Sequence, residues 1–143
     1  MKHTLPIGRT HLIEDGLLDR LIIGKLLQKY NFTRSLLIFE DGRTALESLR
    51  QALARDDGQA LPQVILLDLQ MPHMDGWHFL EQYAQLPAHF TQHCLLYVLS
   101  ASISPADIDR AKTHPMVKAY LIKPLTAAGL IHILEDLAAQ PAW

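Results

Sequence analysis

The chain of 143 residues has a single cysteine, Cys94, so no intrachain disulfide is available. Its place at the head of the apolar run CLLYVLS reads as a buried, inert thiol. Long hydrophobic stretches are also missing. No segment approaches the ~18 apolar residues needed to span a bilayer, and the opening MKHTLPIGRTHLIEDG lacks the continuous apolar core of a secretory leader. The expected setting is the cytoplasm, away from membranes. Neither charge sign dominates: thirteen Lys and Arg against fifteen Asp and Glu leave a formal net charge of −2. Without long like-charged runs there is no electrostatic footprint for nucleic acid. Low-complexity tracts, tandem repeats and interdomain linkers are absent too, which leaves one domain over 1–143 with a core of about 10–138. None of the eight histidines stands in an H-E-x-x-H metal motif. They read as scattered surface or loop residues, with His73 and His78 bracketing the candidate site.

What is present is a rhythm: five apolar runs alternate with five stretches of helical spacing, the pattern (βα)5. Strands are predicted near Thr10–Glu14, Ser35–Phe39, Val64–Asp68, Leu95–Ser100 and Ala119–Ile122. The first helix is predicted to turn Leu17, Leu18, Leu21, Ile22, Leu26 and Tyr30 inward. Asp41 is a plausible cap for the second, with Leu46, Leu49 and Leu53 inside, and the polar stretch RDDGQALPQ that follows is the longest loop. The third helix begins near Gly76, buries Phe79, Leu80 and Tyr83, and ends with the help of Pro87. Ser104-Pro105 is a strong start for the fourth, and Thr126 caps a fifth whose inner stripe is Leu130, Ile131, Leu134 and Leu137. Strands separated by helices need parallel crossovers, and parallel strands buried on both faces read as unbroken apolar runs such as VILLDL. The predicted class is therefore α/β, a doubly wound, flavodoxin-like, five-stranded parallel sheet in the order 2-1-3-4-5.

In such a sheet ligands bind beyond the carboxyl ends of the strands, where strand order reverses. Strand one ends in Glu14-Asp15, strand three in Asp68, strand four in Ser100 and strand five in Lys123. Strands one and three are neighbours in this order, so Glu14, Asp15 and Asp68 should meet. Three carboxylates repel unless a cation or protons intervene, and a hard divalent ion with oxygen ligands, Mg2+ above all, is the natural partner. Lys123 and the Ser100 hydroxyl would then bind oxygens of an incoming phosphoryl group. That arrangement suits phosphoryl transfer to Asp68 as the nucleophile. Each residue has an ordinary reading alone: a first-turn acid, a strand-end turn former, a loop lysine. Their joint placement at four strand ends favours function.

The segments LIED, LLDLQMPHMDGWHFL, VLSAS and AYLIKPL carry a resemblance. From about His11 to Leu137 the chain resembles a response-regulator receiver domain of two-component signalling, similar to the stand-alone receivers of chemotaxis. The resemblance implies that Asp68 is the phosphoacceptor and Asp15 a Mg2+ ligand, with Glu14 supporting it directly or through water and the Gln70 backbone carbonyl adding a ligand. It further implies Ser100 as switch hydroxyl, Tyr120 as switch aromatic, Lys123 as the family lysine and a cis Lys123–Pro124 bond. The Pro and Gly of MPHMDG shape the loop that leaves Asp68 at the sheet edge. Two departures are mild: Glu-Asp stands where Asp-Asp is commoner, and Ser100 where Thr is.

The expected function is thus a phosphoacceptor signalling switch, not an enzyme. Phosphoryl groups would come from a sensor histidine kinase or phosphotransfer protein. Two other readings compete. A Mg-dependent aspartyl-phosphate phosphatase of the haloacid-dehalogenase type would need an acid where Gln70 stands. An unphosphorylated receiver-like interaction module would have no use for Asp15, Asp68 and Lys123 together. With only Ala138 to Trp143 following the fifth helix, the expected output of a chain complete as it stands is protein contact, with a downstream target or in a homodimer. The expected surface is the helix 4–strand 5–helix 5 face made by Ile103–Lys112, Lys118–Ile122 and Thr126–Leu137.

Overall fold

Val64–Leu67 is buried at every residue and forms strand β3, the centre of the sheet. The computed structural model describes residues 7–71 and 74–140. Along them run β1 (Ile7–Ile13), α1 (Leu17–Lys29), β2 (Thr33–Phe39), α2 (Gly42–Ala54), β3, α3 (Gly76–Tyr83), α4 (Ala88–Thr91), β4 (Leu95–Ser100), α5 (Pro105–Thr113), β5 (Ala119–Ile122) and α6 (Ala127–Ala138). All pairings are parallel, in the order β2-β1-β3-β4-β5. That is the predicted α/β topology, with β1 and β3 adjacent where the order reverses. Asp68 lies just beyond β3, and β1 starts three residues earlier than predicted.

Alternate strand residues feed two apolar layers. Ile13, Ile65, Leu67, Leu96 and Val98 pack with Leu46, Leu49, Phe79, Leu80 and Tyr83 from α2 and α3. Leu12, Val64, Leu66, Tyr97 and Leu99 pack with Ile23, Leu27, Leu130 and Ile133 from α1 and α6. Burying each of the aliphatic side chains is worth ~1.5–3 kcal/mol against exposure, and this packing holds the strand ends in place. No helix among the described residues is long and apolar enough to cross a membrane.

Several local expectations are corrected. The inner face of α1 is Ile23 and Leu27, with Leu26 beside them, while Leu17, Leu18, Leu21, Ile22 and Tyr30 are exposed. The sequence LLDRLIIGKLLQK is apolar on nearly every side, so spacing alone selects no face. In α6, Ile133 is buried and Ile131 exposed. Asp41 and Thr126 do cap their helices, accepting from Thr44 N and Gly129 N. Ser104 does not: its own N–H donates instead to Ser102 Oγ, at 3.2 Å. Pro87 does not end α3 but opens the short α4, four residues past Tyr83. The long loop contains a 3-10 turn at Gly58–Ala60. Cys94 is buried as expected, and burial pushes its thiol up to about 12. His11, however, is no surface residue: it lies 1% exposed in β1, its ring 5.0 Å from that of Phe39. Pro72 and His73, to which loop shaping and site bracketing were ascribed, lie outside the described residues.

Candidate functional site

The ladder carries the carboxylates together. Ile13 pairs with Leu67, so the next residues, Glu14 and Asp68, emerge side by side, fixed by Glu14 N donating to Phe39 O at 2.9 Å and Asp68 N to Ile13 O at 3.0 Å. The chain then turns sharply into α3. Gly76 N donates to Leu69 O at 2.8 Å, an approach so close that a Cβ on Gly76 would lie 2.7 Å from Leu69 Cα and 2.8 Å from the Asp68 carbonyl oxygen. Only glycine fits under this loop. Asp75 then caps α3 by accepting from His78 N, leaving the His78 side chain exposed and away from the cluster.

Asp68 and Glu14 are buried, and Asp15 is exposed. Oxygens of the three lie within 4.8 Å of one another, the one such group of potential metal ligands among the described residues. Burial first, then the neighbouring Glu14 carboxylate, raises Asp68 from its ordinary 3.8 to about 7, against the opposing pull of Lys123 and the Gln70 backbone N–H. The donors are all oxygen and partly open to solvent, so the residues fit a hard divalent cation such as Mg2+.

From β5, Lys123 reaches across the pocket, its peptide bond to Pro124 cis and its N–H donating to Ser100 O at 2.9 Å. Its Nζ lies 2.7 Å from Glu14 Oε1, 2.8 Å from Asp19 Oδ2 and 3.7 Å from Asp68 Oδ1. Burial works against the ammonium, but hydrogen bonds to Asp19 and Glu14 prevail and hold it above the usual lysine range. The other Glu14 oxygen accepts from Gly16 N at 3.1 Å. Both Glu14 oxygens are therefore engaged, which suits a supporting role through water better than direct ligation.

Two participants escaped the sequence reading. Asp19 enters from the first turn of α1. Arg20 donates to the carbonyls of Glu14 and Asp15 and to Glu40 Oε1, at 3.3, 3.1 and 3.3 Å, clamping the acidic loop against the end of β2. The only sequence signal was an Asp-Arg pair one turn after the acidic pair.

The fourth strand ends in a hydrogen-bonded loop. Ser100 Oγ accepts from Ser102 N at 3.1 Å, Ser102 Oγ donates to Asp107 Oδ2 at 2.8 Å, and Tyr120 OH donates to Ser102 O at 2.7 Å. Tyr120 is half-buried and packs against the core layer. The ring and the loop are joined by this hydrogen bond. Sequence reasoning, which finds no H-x-x-x-H spacing among the histidines, passes over one pair: His89 and His93 stand in that spacing, yet α4 ends at Thr91 between them. They line a cavity of about 240 Å³ with Asp56 and Asp57, beside the start of β3, and no metal-ligand cluster among the described residues includes them.

The family model for the response regulator receiver domain matches residues 11–135. The probable methanogenesis regulatory protein FilR2 of Methanothrix harundinacea is 32% identical over 88% of this chain and 78% of its own length. The chain spans only 17% of another relative, the sensory/regulatory protein RpfC of Xanthomonas campestris, at 31% identity over 92% of this chain. Among solved structures, a response regulator receiver protein from Dyadobacter fermentans superposes with a TM-score of 0.79 at 30% identity, covering 92% of this chain and 98% of that one. The Mn(2+)-bound response regulator Rcp1 gives 0.69 at 25% identity, covering 92% of both chains. The phosphorylated cyanobacterial phytochrome response regulator RcpA gives 0.71 at 27%, over 92% and 91%.

Proposed function

The chain belongs to the response-regulator receiver family, and from that premise we propose that it is a cytoplasmic phosphoacceptor switch. Asp68 would take a phosphoryl group from a phosphohistidine on a sensor histidine kinase or phosphotransfer protein. One observation carries the reading: the Asp68 carboxylate stands at the end of β3 with Glu14 and Asp15 converging on it and the Lys123 ammonium 3.7 Å away. The similarity to Mn(2+)-bound Rcp1 and phosphorylated RcpA supports it.

Asp15, Asp68 and the Gln70 backbone carbonyl would hold Mg2+, with Glu14 assisting through water. When bound, the ion supplies positive charge that offsets the phosphoryl oxygens. An Asp68 oxygen attacks phosphorus as the P–N bond breaks, and the electron pair leaves with the imidazole, which ends neutral because the phosphohistidine enters protonated on its other ring nitrogen. Lys123 turns an N–H toward one phosphoryl oxygen. Ser100 Oγ already accepts from Ser102 N, so its own proton is free to donate to another. That donation would draw in the Ser100–Ser102 segment, and with it the Tyr120 hydroxyl tied to Ser102 O. Phosphorylation then favours one arrangement of this segment only as far as it interacts differently with the two. The affected surface is α5, β5 and α6, where a downstream protein or a second copy would dock.

Gln70 argues against turnover, because a phosphatase of the competing type needs an acid there to protonate the leaving group. Intact-mass spectrometry after incubation with acetyl phosphate tests the proposal. A single phosphoryl adduct should form with Mg2+, vanish in Asp68→Asn, and require far more Mg2+ in Asp15→Ala than in His78→Ala. An adduct retained in Asp68→Asn at the wild-type level sinks the assignment.

A further inference from the structure

Lys123 is held by two carboxylates, and neither belongs to the phosphoacceptor. Its N–H groups meet Glu14 at 2.7 Å and Asp19 at 2.8 Å, two bonds from three donors, while Asp68 stays at 3.7 Å, beyond hydrogen-bond distance. Glu14 comes from the strand end that supports the cation site, but Asp19 comes from α1, off to one side of the pocket. The Asp19 side chain is 43% exposed and that of Lys123 14%, so the pair lies at the rim of the site.

We propose that Asp19 is a positioning residue that tethers Lys123 away from Asp68 in the resting protein and sets how readily the ammonium is released to a phosphoryl group. The inference rests on the phosphoacceptor reading given above. Its logic is competition for the position of the ammonium. One N–H is unclaimed, but with Nζ held on Glu14 and Asp19, turning it toward a phosphoryl oxygen on Asp68 costs part of those bonds, so the tether opposes phosphoryl binding. By keeping the ammonium off Asp68, the same tether leaves that carboxylate open to a cation. Removing the Asp19 charge should therefore move two affinities in opposite directions: the cation should bind more weakly because Lys123 turns toward Asp68, and an anion on Asp68 should bind more tightly. General damage to the pocket would weaken both.

Asp19→Asn keeps an acceptor of the same shape without the charge, and Asp19→Glu restores the charge. By calorimetry, Asp19→Asn should raise the Kd for Mg2+ about two- to fivefold, the range of a partly exposed ion pair. At saturating Mg2+ it should lower the Kd for beryllofluoride by about the same factor, and Asp19→Glu should return both toward wild type. A readout free of cation and phosphoryl mimic accompanies these: in EDTA, mass spectrometry should find Lys123 acetylated by acetic anhydride severalfold faster in Asp19→Asn. Both constants moving together, or an unchanged Lys123 labelling rate, overturns the tether. Beryllofluoride binding to Asp68→Asn as it does to wild type would instead overturn the phosphoacceptor reading, and the labelling experiment would still decide for or against the tether.

Discussion

Replacing Asp68 by Asn should stabilise the cation-free protein, and by an amount that depends on pH. In the folded chain Asp68 keeps its proton up to about pH 7, because burial and Glu14 oppose its ionisation, while its ordinary value is 3.8. Between those values the folded state binds more protons than the unfolded state, so stability falls as pH rises through that window and the loss is complete above it. At ~1.4 kcal/mol per pH unit the full handicap is about 4 kcal/mol. Asn retains an acceptor for the Gln70 N–H but deprives Lys123 of a nearby anion, which brings the expected gain to about 2–3 kcal/mol at pH 8. Urea unfolding in EDTA, at intervals from pH 4 to 8, should show wild type and Asp68→Asn close together at pH 4 and diverging until pH 7. His11 titrates in both proteins and drops out of the difference. Excess Mg2+ should close the gap from the wild-type side, since a ligand that binds only the folded state stabilises it by mass action. A difference that stays constant across the pH range, or an Asp68→Asn variant less stable at pH 8, would mean that the Asp68 carboxylate is not held protonated by its surroundings.

Two further expectations concern the scaffold. His11 has no hydrogen-bond partner on either ring nitrogen, and burial first, then Arg9, lowers it from 6.5 to about 4. Its neutral ring is therefore at full benefit above pH 6.5, and that benefit is lost as pH falls toward 4. His11→Leu should gain about 2 kcal/mol at pH 5 by urea unfolding, and a loss of stability there would show that the ring is partnered after all. Gly76→Ala drives a methyl into the backbone of Leu69 and Asp68; it should cost about 1–3 kcal/mol and reduce acetyl phosphate labelling of Asp68 beyond what the unfolded fraction explains. Labelling at the wild-type rate would show that the loop has room to move.

The strand-end acids were legible because they need only two facts: that continuous apolar runs are parallel strands, and that adjacent strands present their next residues together. Register did the rest, placing Glu14 beside Asp68 once Ile13 met Leu67. The buried face of α1 was not legible, because an apolar residue lies in almost every direction around that helix. Only the packing of Ile23 and Leu27 against the sheet chooses among them. Asp19 and Arg20 were hidden for a different reason. An acid in the first helical turn is already explained by the helix dipole, and its partner Lys123 stands 104 residues away. Ser102 and Ser104 were a contest between two hydroxyls two residues apart. It was decided by Asp107, which draws Ser102 Oγ into the helix start and leaves Ser104 with no capping bond of its own.

The charges in the pocket imply an order of events for the proposed switch. Glu14, Asp19 and Asp68 face the ammonium of Lys123, Asp15 joins Glu14 and Asp68 in the acidic cluster, and Arg20 donates to backbone carbonyls and to Glu40 at the margin. Four carboxylates against one ammonium repel a phosphoryl group that carries negative charge of its own, so phosphoryl entry before cation entry is the costlier path. The proton on Asp68 relieves part of the excess in the resting state, but it occupies the oxygen that must attack phosphorus. Asp15 and Asp68, if they hold a cation, would meet both needs, because Asp68 would give up that proton and the pocket would gain the missing positive charge. Proton and cation then compete for one carboxylate, and the exclusion is mutual: protonating Asp68 weakens cation binding by the same free energy by which a bound cation weakens protonation.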